Sequence, residues 1–263
     1  MSITPSTPSI QEWHEHFVRQ AGWTQMTRNQ LYRRANLLQA DRVLDVGCGT
    51  GVLTNELARR TRGEVIGLDI NPDMLAFARR STGRIRYEEG DALDLPYPDR
   101  HFDVVLCHFV LLWLPDPALA VQEMARVLRL GGSALICAEP DYGGRLDWPD
   151  LPIRDWQIEG LRRQGANPLI GRQVRRLLVK AGLRADVGVI PSQWDTQSLA
   201  EQFETEWMWL VFDVGDTVDP VTFAQVKAQA QKAVQDGTRA IFMPVFYGIG
   251  RKAAAEHEPG GEP

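Results

Sequence analysis

The sequence predicts an α/β fold, a mostly parallel sheet with helices on both faces, and three observations carry that expectation. Val43-Leu44-Asp45-Val46 is apolar and partly β-branched, as a strand buried on both faces must be. It runs into Gly47-Cys48-Gly49-Thr50-Gly51, with glycine at every second position, and then into 52–60, where Leu53, Leu57 and Ala58 share one helical face. Finally, further short apolar runs alternate with segments of helical spacing, the pattern of strands joined by crossover helices. A strand, a glycine turn and a helix bring backbone close to a nucleotide-like ligand, because glycine has no Cβ in the way and a helix N-terminus offers unpaired N–H groups.

Taken in order, residues 1–10 are rich in Ser, Thr and Pro and read as a loose start. The segment 11–39 reads as one or two helices whose Trp13, Phe17, Trp23, Tyr32 and Leu37 are too bulky to leave in water. A cover for a sheet edge and a lid over a cleft both fit it. His14 and His16 either face such a cleft or sit on the surface. The second strand is 64–70, and Asn71-Pro72 opens a helix over 73–80. Its terminal acid, Asp69, lies 22 residues beyond Gly47, where a carboxylate can accept from both hydroxyls of a ribose; helix capping is the plainer alternative.

The third strand, 85–89, ends in Gly90-Asp91-Ala92. On such a turn Asp91 can accept from an exocyclic amine while the next N–H, of Ala92, donates to a ring nitrogen, a pairing suited to adenine. A fourth strand spans 101–109, and a helix over 118–130 is expected to end at Gly131-Gly132. The fifth strand is 133–139. An aromatic loop with Tyr142, Trp148 and Trp156 follows, then a helix ending near Ala181-Gly182, a sixth strand at 185–190, apolar helices within 197–236 and a last strand at 240–250.

The bulk numbers exclude several classes. The chain has 263 residues, 44% hydrophobic and 24% charged, which suits one globular domain. A net charge of −5 argues against a broad polyanion-binding surface. Cys48, Cys107 and Cys137 lie in or beside strands without zinc spacing, so they read as buried thiols, and no metal is expected. No apolar run reaches membrane-span length and no signal pattern opens the chain, so a cytoplasmic protein is expected.

The ordered series VLDVGCGTG, VIGLDINP, EEGDALDLPY, FDVVLCHFVLLWL, EMARVLRLGG and CAEPDY resembles the class I S-adenosylmethionine (SAM) dependent methyltransferases, close to the ubiquinone/menaquinone-type subgroup. The resemblance covers about residues 41–142. It departs from the family at Arg129-Leu130-Gly131-Gly132, where Lys-Pro-Gly-Gly is usual. It implies a Rossmann-like seven-stranded sheet, mostly parallel, whose last strand runs antiparallel beside the fifth and sixth, under a helical lid. A single domain over 1–263 is expected. Its core would be about 40–139 and 171–250, its lid 11–39, 140–170 and 195–238, and its loose tails 1–9 and 254–263. SAM is the implied cofactor, with S-adenosylhomocysteine as product. The implied cofactor-binding residues are Asp45, Gly47, Cys48, Gly49, Asp69, Ile70, Asp91, Ala92 and His108.

Methyl transfer from a sulfonium is an in-line displacement on an activated carbon, so alignment and exclusion of water are the main requirements, and a general base is needed only for a protonated acceptor. His108, closing the fourth strand, is the candidate base; shaping the cofactor's methionine end is its alternative. Glu139, Asp141 and Tyr142 either orient an acceptor or close a loop. Trp113, Tyr142, Trp148, Trp207 and Tyr247 are candidates for an apolar or cation–π acceptor wall, with core packing as the alternative. Base-methylating relatives carry Asn/Asp-Pro-Pro-aromatic after the fourth strand, whereas this chain has Cys107-His108-Phe109-Val110. The expected partner is thus a small apolar or aromatic acceptor, not nucleic acid, for a monomer or homodimer. The rivals are a methyltransferase acting on RNA or protein, a non-catalytic SAM-binding regulator, and an NAD-dependent oxidoreductase. The last shares Gly47 and Asp69 but leaves the short glycine spacing and Gly90-Asp91-Ala92 unexplained.

Overall fold

The computed structural model describes residues 8–81, 84–191 and 196–254. Helix α1 (Ile10–Arg34) opens with a capping box in which Ser9 and Glu12 satisfy each other's backbone N–H groups. There follow β1 (Arg42–Val46), α2 (Val52–Ala58), β2 (Glu64–Asp69), α3 (Pro72–Ala78), β3 (Ile85–Glu89), β4 (Phe102–Cys107), α4 (Pro117–Val127) and β5 (Leu128–Pro140). The second half holds β6 (Leu146–Trp148), α5 (Ile153–Arg163), α6 (Val174–Lys180), β7 (Arg184–Val189), α7 (Thr196–Val214), α8 (Pro220–Gln235), β8 (Ala240–Phe242) and β9 (Val245–Arg251). One device starts three helices: Asn71, Asp116 and Asp219 each accept two backbone N–H groups, and each is followed by a proline at the first helical position.

Seven strands form one sheet in the order β3-β2-β1-β4-β5-β9-β7. The first five are parallel, and β9 runs antiparallel between β5 and β7, as the resemblance implied. Period-two alternation sends neighbouring side chains to opposite faces. Leu44, Ile66, Val105 and Ile136 pack with Val121 and Met124 of α4 and Leu177 of α6. Val43, Val65, Val104 and Leu135 pack with Leu31 and Tyr32 of α1 and Leu57 of α2. Both faces are therefore covered, which is why the strands read as unbroken apolar runs. A third core joins α5, α7 and α8 through Ile153, Phe203, Trp207 and Phe223, so the lid is a small helical assembly with its own apolar interior.

Several expectations are corrected. Helix α4 stops at Val127, not at Gly131-Gly132. Lys252 Nζ donates to the carbonyls of Ala125, Arg126 and Leu128 and so satisfies that end. Leu128 already pairs with Phe102, and Gly131-Gly132 belong to a bulge before Ser133 resumes the ladder opposite Val104. The expected last strand is two strands: Ala240–Phe242 pairs with β6 in a separate ribbon, and the ladder resumes only after Pro244, which has no N–H to donate. The expected aromatic loop over 140–170 contains β6 and α5. Of the tails expected to be loose, 1–7 and 255–263 lie outside the described residues, as does 195 at the edge of the expected lid, whereas Ser9 is an N-cap. Among the described residues no helix is long and apolar enough to cross a membrane.

Candidate active site

The carboxyl ends of β3, β2, β1 and β4 stand side by side and carry most of the residues singled out in the sequence. Gly47 and Cys48 donate their N–H groups to Leu68 O at 2.8 and 3.0 Å, which draws the glycine turn against β2. Gly47 has φ 68°, and a Cβ there would stand 2.5 Å from Val110. Gly49, at φ 52°, faces the ring of Phe17 from α1. Both positions need glycine for conformation and for space. Asp69 sits at the centre of the crest. Its Oδ2 accepts from Gly49 N at 2.7 Å and its Oδ1 from Asn71 N at 2.9 Å. Ile70 is exposed beside it. Asp91 Oδ1 accepts from Leu93 N at 2.8 Å, shaping the turn that holds the buried Ala92.

Two members of the expected set point inward. The Asp45 carboxyl is buried beneath the turn and accepts from Thr54 Oγ1 at 2.7 Å; burial pushes its pKa up to about 7 despite that donor. Burial also raises the Cys48 thiol well above its usual range, so this residue offers the site its backbone. His108 Nε2 lies 2.9 Å from Thr24 Oγ1, and burial together with nearby Arg28 holds its pKa well below the usual histidine value. Arg28, 1% exposed, binds Glu56 at 2.7 Å, Ala21 O at 2.7 Å, and Thr24 Oγ1. A buried polar chain thus ties α1 to the ends of α2 and β4.

Helix α1 covers the sheet and lines the cavity beyond it. Its second half packs on the sheet, while Trp13, His16 and Phe17 reach over the crest to α7. There the Trp13 and Trp209 ring centroids are 4.8 Å apart, and His16 lies 3.7 Å from Trp209. Between α1, α7 and the loops after β4 and β5 is a cavity of about 410 Å³. Trp113 and Tyr142 line it, as do Trp13, Phe17 and Phe212. Trp148 does not; it stands 64% exposed on the β6–β8 ribbon. Tyr247 packs over Gly188 on β7, and Trp207 is 1% exposed inside the lid core. His14 Nδ1 is 2.9 Å from Thr50 Oγ1. Glu139 is fully buried and closes a loop: its carboxylate accepts from the N–H groups of Val110, Leu111 and Leu112 at 3.0, 2.9 and 3.3 Å. Asp141 is bound by Arg172 at 2.6 and 2.7 Å.

The sequence reading missed a polar group in this cavity, Arg145, Gln157, Glu206 and Asp213. They come from three separated segments, and the only advance signal was the charge carried by otherwise apolar lid helices.

The buried groups make stability pH-dependent. Burial raises Asp45 to about 7, Glu139 to about 8 and Asp213 to about 6. Through that window the folded chain holds protons that the unfolded chain has released, so stability falls as pH rises. Burial lowers His16 to about 3 and His108 well below its usual value, so the unfolded chain binds more protons there below about pH 6.5, the unfolded histidine value, and this contribution to stability rises with pH. The two effects oppose each other below 6.5, and only the carboxyls act above it. Three carboxyls outweigh two histidines from about pH 5 upward, so the melting temperature is expected to fall as pH rises from 5, and by about 5 °C between pH 6.5 and 8.5, since each tenfold difference in proton affinity between folded and unfolded chain is worth about 1.4 kcal/mol. A scanning-calorimetry series that rises steadily to pH 8.5 would contradict this.

Known proteins share this arrangement. The methyltransferase-domain family matches residues 44–136. An uncharacterized methyltransferase of Schizosaccharomyces pombe is 31% identical over 192 residues, covering 66% of this chain and 67% of that one. A demethylmenaquinone methyltransferase of Deinococcus radiodurans is 45% identical over 104 residues, which span 38% of this chain and 43% of that protein. The match to a Streptomyces fradiae protein likewise spans 42% of its length, so some of these relatives are covered over less than half. In fold, the crystal structure of the [4+2]-cyclase SpnF aligns with a TM-score of 0.60 at 24% identity, covering 88% of this chain and 82% of that one. With its glycine turn, its crest acid and its antiparallel β9 set between β5 and β7, the chain belongs to the class I SAM-dependent methyltransferases.

Proposed function

We propose that the protein transfers a methyl group from SAM to a small acceptor with an apolar or aromatic body. The observation that carries this reading is the cavity with aromatic residues in its wall between α1 and α7, which adjoins the glycine turn through Phe17, a residue facing both. SAM would supply a methyl group already activated on a sulfonium. The chain's residues fit it: Gly47 and Gly49 let the turn run at positive φ close under Val110 and Phe17, and Asp69 presents a carboxylate at the crest for the ribose hydroxyls. Asp91 and Ala92 follow the next strand end and would take the adenine. The lid then excludes water and holds the acceptor in line.

On this reading His108 is a positioning residue. A base works best with a pKa near the operating pH, and this ring lies well below it while its Nε2 is engaged by Thr24. The demethylmenaquinone methyltransferase relatives favour a small ring-bearing acceptor. A net charge of −5 disfavours RNA. The test is a turnover panel with SAM and quinol, phenol and amine acceptors, beside RNA and protein. S-adenosylhomocysteine formed with members of the small-molecule set supports the reading. Turnover confined to RNA or protein refutes it.

A further inference from the structure

At one place in the cavity wall three polar side chains are joined in a row. There Asp213, from the end of α7, meets Gln157 of α5 and Arg145 from the turn before β6. Gln157 Nε2 donates to Asp213 Oδ2 at 2.8 Å, while Gln157 Oε1 accepts from Arg145 Nη1 at 3.0 Å. Arg145 is itself committed. Its Nε and Nη2 clamp Asp147 at 2.8 and 3.0 Å, Nη2 also reaches Glu206 at 3.0 Å, and Arg239 holds the other side of Asp147 at 2.6 Å. This chain has a direction. A guanidinium can only donate, so the side of Gln157 that meets Arg145 must be its carbonyl. The amide NH₂ is therefore turned toward Asp213, which must accept. Asp213 Oδ1 is left with no hydrogen-bond partner among the described residues, on a side chain that lines the cavity.

A carboxylate oxygen can accept but not donate. We propose that Asp213 is the polar anchor of the acceptor site: it takes the hydrogen bond of a hydroxyl or amine N–H at one end of an otherwise apolar, ring-sized acceptor. The acceptor class is then narrower than apolar. A hydrocarbon or an ether covers Oδ1 without pairing it, and a carbonyl sets two acceptors against each other, each at a cost in affinity. Burial raises Asp213 to about 6 against the donor Gln157 and the charge of Arg145, so it is mostly ionised at neutral pH. The other charged or titratable groups around it are Tyr142 beyond β5, Glu206 on its own helix, and Asp147 with Arg239 behind Arg145; His16 and Arg19 of α1 line the same cavity. This inference rests on reading the cavity as the acceptor site.

The test uses three compounds that share the naphthalene ring, 2-naphthol, naphthalene and 2-acetonaphthone, in equilibrium dialysis against the protein saturated with S-adenosylhomocysteine. The wild type is expected to bind 2-naphthol at least tenfold more tightly than either of the others. Asp213→Asn carries the decisive contrast. Because Arg145 fixes Gln157 as donor, the new amide must turn its carbonyl to Gln157 and its NH₂ to the cavity. Affinity for 2-naphthol should fall about tenfold while affinity for 2-acetonaphthone rises. Equal wild-type binding of 2-naphthol and naphthalene overturns the proposal, as does an unchanged preference in the variant. Should the variant fail to fold, the wild-type contrast still decides. A separate titration of the wild type with S-adenosylhomocysteine isolates the methyl-transfer reading. If that ligand does not bind, methyl transfer falls, while the naphthalene series, repeated without it, still judges Asp213.

Discussion

Glu139→Ala is expected to destabilise the fold by about 4 kcal/mol. The carboxylate of Glu139 is the acceptor for three consecutive backbone N–H groups, of Val110, Leu111 and Leu112, in the loop that leaves β4. Leu111 and Leu112 are buried with Glu139, so their N–H groups lose their acceptor away from water, while Val110 is half-buried. Each buried donor left without an acceptor costs about 1–3 kcal/mol, and the loop can relax only in part. At about 2–4 °C per kcal/mol for a domain of this size, the melting temperature should drop by roughly 10 °C. Glu139→Gln keeps the shape and one acceptor oxygen, so about half the loss is expected. A melting temperature within 2 °C of wild type for the alanine variant would show that the loop is held by something else. The effect would reach the site as well, because the same loop presses Val110 against Gly47.

Asp69→Ala is expected to weaken S-adenosylhomocysteine binding about 100-fold while leaving the fold intact. Two hydrogen bonds from ribose hydroxyls to a carboxylate, at about 1.5 kcal/mol each, make about 3 kcal/mol, or two powers of ten. Asp69 lies at a strand end, where its loss removes the acceptor of two N–H groups, that of the buried Gly49 and that of the exposed Asn71. Isothermal titration of wild type and variant, with NAD as control, reads the effect directly. Affinity within threefold of wild type removes Asp69 from the binding site, and binding of NAD in place of the homocysteine compound overturns the cofactor assignment. A melting temperature within a few degrees of wild type separates lost binding from lost structure.

Much of this protein is written in short-range pattern. The glycine turn is legible because a left-handed backbone with no room for a Cβ admits one residue type. The parallel strands are legible because burial on both faces leaves only apolar residues, and the crest acids because each stands at the end of such a strand. Where local signals misled, a distant residue had changed the outcome. Gly131-Gly132 looks like a helix stop, but Lys252 from beyond β9 satisfies the end of α4 first. The run 240–250 looks like one strand, but the ladder to β5 can begin only past Pro244, and β6 takes the part before it.

The chain's own residues thus determine the class of fold, the order of its strands and helices, and the crest that resembles a nucleoside site, because each depends on neighbours close in sequence. Only the tertiary structure decides which aromatic residues share a wall. Trp113 and Tyr142 enter the cavity, while Trp207, as bulky as either, is spent inside the lid core. The tertiary structure alone joins Asp213 to Gln157, 56 residues apart. The physical reason is that a cavity is the space left between elements, and the direction of a hydrogen-bond chain is set by its furthest member, here a guanidinium on another segment.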